Sequence, residues 1–156
     1  MRTVTVADLP DLEGATLGPG TWQRISQDQV NRFADATGDH QWIHVDQARA
    51  AKGPFGRTIA HGYLTLALIP ALFSDLLQVD GVSQAINYGL DKVRFPAPAP
   101  VGSRVRLTAA VERVEPVPAG YQLTIAATVE CDAAGKPACA ARNLYRFLGP
   151  GKPARP

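Results

Sequence analysis

Residues 63–77 read Tyr-Leu-Thr-Leu-Ala-Leu-Ile-Pro-Ala-Leu-Phe-Ser-Asp-Leu-Leu, a helix-length segment that is apolar on nearly every side. Such a helix is expected to be buried on most of its surface. From Gly62 to Leu77 it would span roughly 24 Å at ~1.5 Å per residue, about the width of a small domain. Pro70 lies inside it and predicts a kink or a split, because proline has no N–H and its ring crowds the preceding turn. The residues able to bury this helix follow it. Val105, Leu107, Ala109 and Val111 alternate with Arg104, Arg106, Thr108 and Glu112. Tyr121, Leu123, Ile125, Ala127 and Val129 alternate with Gln122, Thr124, Ala126 and Thr128. A period of two marks half-buried strands. Gln84 to Phe95 reads as a strand broken at Gly89, residues 96–102 as a stiff turn, residues 132–137 as a hairpin turn, and Ala138 to Leu148 as a last strand. This order predicts an α+β domain, with an antiparallel sheet wrapped around a central apolar helix.

An earlier helix begins at Ser26, a good N-cap, with Gln29 placed to complete a capping box and Ile25 and Val30 placed to form a hydrophobic staple. Gly38 is a natural terminator. Directly after it the chain reads Asp39-His-Gln-Trp-Ile-His44, which sets a carboxylate and an imidazole five residues apart. Two such groups converging on one point can polarise a water or move protons. By spacing alone Asp39 is as readily a turn former, and His44 as readily a hydrogen-bonded structural histidine. His40 is expected to be structural or exposed, and Asp46 solvated or capping a loop. From Asp39 to Ala60 no periodicity is visible. A segment of about 20 residues exceeds the usual connection, and long connections are often functional.

The chain has 156 residues, enough for one domain with its own core, expected over 1–148 with a flexible tail over 149–156. A net charge of +2 gives no reason to expect nucleic acid as a partner. Arg94, Arg104 and Arg106 read best as a solvated strand face. Cys131 and Cys139 do not form a Cys-x-x-Cys pair and read as reduced thiols of a cytoplasmic protein. The first residues have no apolar signal core. The longest apolar run is shorter than the ~20 residues a membrane span needs, so no membrane association is expected. His40 and His44 have i, i+4 spacing but follow a helix terminator, so no metal site is expected.

Three blocks taken together resemble the MaoC-like, (R)-specific enoyl-CoA hydratases. They are Ala36-Thr-Gly-Asp39-His-Gln-Trp-Ile-His44, Ile59-Ala-His61-Gly62 before the apolar helix, and Gly89-Leu-Asp-Lys-Val-Arg-Phe-Pro-Ala-Pro-Ala-Pro-Val-Gly-Ser103. The likeness covers about residues 12–148 in order, and is strongest to the NodN-like, 3-hydroxyacyl-thioester dehydratase branch. It implies a hot-dog fold and reversible hydration of trans-2-enoyl-CoA to (R)-3-hydroxyacyl-CoA, with no metal or redox cofactor. By the same resemblance Asp39 and His44 hold and activate the water, and the Gly62 N–H is the oxyanion donor. A helix start offers unpaired N–H groups and a positive dipole end, which suits that role independently. His61 is expected to shape the helix start. The family pattern has Asn-Pro where this chain has Gln41-Trp42; the amide is kept, one methylene longer, and the proline is lost, so Gln41 is expected as a supporting residue that orients the loop or the water.

Tyr63 and Tyr88 are candidates for lining an acyl site, with Leu64, Pro70 and Phe73, although plain core is the commoner use of such residues. Lys92 and Arg94 are candidates for the phosphates of coenzyme A, the alternative being a solvated strand edge. The resemblance also implies a homodimer with a continuous sheet, acting on a coenzyme A or acyl carrier protein thioester. Two other readings are a hot-dog thioesterase and a non-catalytic acyl-thioester binder. The first is disfavoured because Tyr63 to Ile69 holds no Asp or Glu. The second is disfavoured by the intact Asp39/His44 pair, which binding alone does not need.

Overall fold

The computed structural model describes residues 1–150. The expected tail therefore lies, from residue 151 on, outside the described residues. The chain runs β1 (Arg2–Thr5), a 3-10 turn (Val6–Leu12), β2 (Thr16–Leu17), β3 (Gln23–Arg24) and α1 (Gln27–Thr37). Four short helices follow: α2 (Trp42–Val45), α3 (Gln47–Ala50), α4 (Gly62–Ala67) and α5 (Ile69–Ser74). The chain then ends in strands: β4 (Leu77–Asp80), β5 (Gln84–Arg94), β6 (Arg104–Val117), β7 (Gly120–Cys131) and β8 (Cys139–Leu148). The main sheet is antiparallel in the order β2-β6-β7-β8-β5, with β3 also on β6. The expected α+β architecture of sheet over central helix is present.

The alternating patterns fix which face of the sheet is the core. Leu107 and Ala109 on β6, Leu123 and Ile125 on β7, and Tyr145 and Phe147 on β8 are buried with Ile69, Leu72 and Phe73 of α5. Each buried Leu, Ile or Phe among them contributes roughly 1.5–3 kcal/mol of apolar burial. On the other face, Arg106 pairs with Glu130 at 2.7 Å and Arg104 with Asp132 at 2.8 Å, the solvated face expected for these arginines. Cys131 and Cys139 are buried and free, and burial pushes the Cys139 thiol up to about 11.

Pro70 splits the central helix in two, one of its two expected effects, because proline has no N–H to continue the first helix. Two expectations change. The second helix stops at Ser74 instead of reaching Leu77. Leu77 instead begins β4, which pairs in parallel with β1 through Arg2–Leu77 to Thr5–Asp80. The central helix is also not buried all round. Leu64, Ile69, Leu72 and Phe73 are buried, whereas Tyr63, Ala67, Ala71 and Ser74 form an exposed stripe at helical spacing. The sheet curls over one side of the helix only, and β5 ends it as an edge strand with most of its residues exposed.

Candidate active site

Asp39 is placed by the end of α1. Ser26 Oγ accepts from the Gln29 N–H at 3.1 Å, which is the first half of the expected capping box, and Ile25 and Val30 both lie in the core. Gly38 ends the helix at φ 79°, a left-handed conformation that glycine adopts without Cβ strain. Asp39 follows, exposed, its Oδ1 accepting from the Gln41 N–H at 3.4 Å. The irregular segment then makes α2 and α3, each four residues long. Asp46 Oδ1 accepts from the Arg49 N–H at 2.9 Å and caps α3, as one reading of that carboxylate expected.

His44 sits in α2 and is buried. Its Nδ1 is 2.7 Å from the Ile59 carbonyl. A carbonyl only accepts, so Nδ1 carries the proton and Nε2 keeps a lone pair. Burial lowers the His44 pKa below its ordinary value near 6.5. His61 pushes in the same direction, while the Ile59 carbonyl and Asp39 oppose it. The net lowering favours the neutral imidazole, whose basic nitrogen is Nε2. His40, by contrast, is exposed, bonded to Asp35 at 2.8 Å, and raised in pKa by that bond.

One atom from each of Asp39, His44 and His61 lies within 4.8 Å of the other two. Two histidines and a carboxylate are a plausible donor set by chemistry, yet the rings do not suit a metal. They stack at 3.8 Å between centroids with 26° between planes, so their in-plane lone pairs lie in two nearly parallel planes. Zinc at ~2.0–2.1 Å needs lone pairs that converge. His44 Nδ1 and His61 Nε2 are also already turned to the Ile59 and Asp39 carbonyls, at 2.7 and 2.9 Å.

Gly62 opens α4, whose first N–H groups have no intrahelical partner. His44 and Gly62 line one cavity of about 310 Å³, with Phe55, Ile59, Thr65 and Phe95 among its walls. A Cβ on Gly62 would lie 2.9 Å from Phe95 Cγ and Cδ2, so the glycine lets this aromatic wall close on the helix start. A second cavity, about 260 Å³, runs along the open side of the central helix. Tyr63, Leu66, Ala67 and Pro70 line it from the helix, and Gly89, Leu90 and Asn143 from the sheet.

The remaining candidates fall around these cavities. Tyr63 is exposed and meets Phe95 edge-on at 6.0 Å. Tyr88 is exposed with Arg146 stacked 3.3 Å from its ring, and it does not line the cavity that holds His44. Lys92 and Arg94 face a separate depression with Glu112, Thr128 and Arg142. Gln41 is exposed, and only its backbone N–H reaches Asp39. Trp42, the other departure from the family pattern, starts α2. Its ring lies against Gly53 and beneath Arg49 at 4.4 Å, which closes the loop on itself.

The sequence reading missed Gln27 and Thr58. Gln27 Nε2 donates to the His44 carbonyl at 2.8 Å and to Asn31 Oδ1 at 2.9 Å, and its Oε1 accepts from Thr58 Oγ1 at 2.6 Å. This bridge ties α1, the histidine and the segment before Ile59 together. Its members are 17 and 31 residues apart, and no motif marks them.

A sheet curled over a broken central helix, with an acid–imidazole pair beside the helix start, defines an enzyme of the hot-dog fold. The chain belongs to the MaoC-like family: the model for the MaoC like domain matches residues 10–132. It is 56% identical over 150 residues to 3-hydroxyacyl-thioester dehydratase Z of Mycobacterium tuberculosis (strain H37Rv), covering 95% of this chain and 99% of that one. It is 48% identical over 108 residues to nodulation protein N of Rhizobium leguminosarum bv. viciae, covering 68% and 67% of the two chains. Among solved structures it is similar to the unliganded R-hydratase PhaJ1 of Pseudomonas aeruginosa, with TM-score 0.71 and 26% identity over 90% of this chain and 83% of that one.

Proposed function

We propose that the protein is a hydro-lyase that interconverts trans-2-enoyl-CoA and (R)-3-hydroxyacyl-CoA. The observation that carries the reading is a buried His44, its pKa lowered by burial, with a ring nitrogen within 4.8 Å of the Asp39 carboxylate, lining one cavity with Gly62 at the open start of α4. In the hydration direction His44 Nε2 takes one proton from a water that Asp39 orients. The hydroxide oxygen bonds to C3, and the C2–C3 π electrons move toward C2 and the thioester. The Gly62 N–H stabilises the enolate oxygen, and the imidazolium returns its proton to C2. One water is added and no electrons are gained or lost. A positioned acid–base group typically contributes 10²–10⁴-fold, and one oxyanion donor roughly 3 kcal/mol.

The same reading includes a homodimer. β5 is an 11-residue strand that, among the described residues, pairs with β8 on one side. Ile86, Tyr88, Leu90 and the nearby Tyr63 are 39–68% exposed beside it. A long, apolar free edge invites pairing with another strand, and a second β5 would continue the sheet and cover the helix stripe. No helix among the described residues is long and apolar enough to cross a membrane. A cytoplasmic location accords with the two free thiols.

The test is loss of enoyl-thioester absorbance on a panel of trans-2-enoyl-CoA substrates of increasing chain length. Hydration with retention of the thioester is expected. Release of free thiol without hydration would move the reading to a thioesterase, and tight binding without turnover to a binding protein. Light scattering is expected to give a dimer, and a monomer would overturn that part.

A further inference from the structure

One buried ring lies against both members of the acid–imidazole pair. His61 is 2% exposed. Its backbone carbonyl accepts from the Leu64 and Thr65 N–H groups at 3.0 and 3.2 Å, so the main chain alone performs the helix-starting role expected of this residue. The side chain makes no cap. It turns away from α4, stacks on His44 at 3.8 Å, meets Phe33 at 4.9 Å, and places Nε2 2.9 Å from the Asp39 carbonyl oxygen. Because that carbonyl accepts, Nε2 carries the proton and Nδ1 is the lone-pair nitrogen. Nδ1 is buried without a hydrogen-bond partner among the described residues.

Stability alone does not account for this arrangement. An unpartnered buried polar atom costs about 1–3 kcal/mol, and a phenyl ring would keep the stacking without that cost. What phenylalanine cannot supply is the N–H to Asp39. Asp39 needs it, because the segment after Gly38 is exposed and its own side-chain bonds, Asp39 N–H to Thr37 and Gln41 N–H to Asp39, are both 3.4 Å long. We propose that His61 is a positioning residue for the hydration site: its Nε2–H fixes the Asp39 backbone, and its ring fixes the plane of His44. One side chain then sets the distance between a carboxylate on an exposed turn and an imidazole in the core.

The inference rests on the hydratase reading. The experiment compares the wild type with His61→Phe and His61→Gln for kcat, KM and Tm on an enoyl-CoA that the wild type hydrates. His61→Phe keeps a ring and loses the donor. It is expected to melt at or above the wild-type temperature, with kcat down about 10- to 100-fold, as for a small misplacement of reacting groups, and KM within about twofold. His61→Gln carries an N–H near the Nε2 position and is expected to recover most of kcat even if it melts lower. Wild-type kcat in His61→Phe overturns the inference. So does activity that only tracks Tm across the variants, with no recovery in His61→Gln. If His61→Phe does not fold, the kcat of His61→Gln decides alone: retention despite a lower Tm supports the inference, and loss overturns it. A wild type inactive on every enoyl-thioester overturns the hydratase reading and this inference together.

Discussion

Replacing His44 with asparagine separates the chemistry of this residue from its structural duty. The imidazole does two things: Nδ1 donates to the Ile59 carbonyl at 2.7 Å, and Nε2 keeps a lone pair. Asparagine places its amide N–H close to the Nδ1 position and has no basic nitrogen. His44→Asn is therefore expected to keep the Ile59 bond and lose general-base catalysis. A positioned base contributes 10²–10⁴-fold, which is about 2.7–5.5 kcal/mol of transition-state free energy. His44→Ala loses the bond as well. It strands the Ile59 carbonyl at a cost of about 1–3 kcal/mol, or roughly 2–12 °C in Tm for a chain of this size. The pair is assayed by initial rates of enoyl-CoA hydration and by thermal melts followed by circular dichroism. Both variants should lose at least about 100-fold in kcat, while only His44→Ala loses several degrees. A His44→Asn variant within about threefold of the wild-type rate would remove His44 from the chemistry. Equal melting of the two variants would show that the Ile59 bond does not bear on stability.

Burial holds the His44 pKa below its ordinary value near 6.5, so the imidazole loses its proton at lower pH than a free one does. The acid limb of kcat/KM is therefore expected below that ordinary value, and a limb centred above it would contradict a buried base. Stability follows the same sign: the unfolded chain binds the proton first, so stability falls as pH drops from about 6.5 through the folded pKa, and wild type should lose more Tm over this range than His44→Asn. Gln27→Leu removes the donor to the His44 carbonyl and the acceptor for Thr58. It is expected to lower stability by about 1–3 kcal/mol and kcat with it, and denaturant titration showing no loss would refute the bridge. Gly62→Ala leaves the backbone N–H in place but drives a methyl to 2.9 Å from Phe95. The half-exposed ring can swing out, so Tm should change little while kcat/KM falls about 10- to 100-fold; an unchanged kcat/KM would show that the Phe95 wall is not needed.

The parts of this protein that were legible in its sequence are those where one chain segment carries its own signal. Ser26 and Gly38 bracket α1 because a cap and a left-handed terminator act on adjacent backbone groups. Leu107, Ile125 and Tyr145 declare the inner face of the sheet because side chains alternate along a strand. The parts that were not legible depend on distant partners. α2 and α3 have four residues each, too few to print a helical period or to stand alone. The β1–β4 pair joins residues more than 70 positions apart, and the Gln27 bridge and the His61 ring act across loops.

The central helix is the instructive failure. Its pattern is apolar on nearly every side, and the natural inference is burial on most of its surface. In one chain the stripe of Tyr63, Ala67 and Ala71 is nevertheless exposed, and the second cavity lies along that side of the helix. Hydrophobic periodicity detects a boundary between covered and wetted faces. In the homodimer proposed above, a face covered by an acyl chain or a second copy would have the composition of core and show no such boundary. The apolar pattern of the helix supports that proposal, and Gly62, which lines one cavity with His44, opens the helix along which that open side runs.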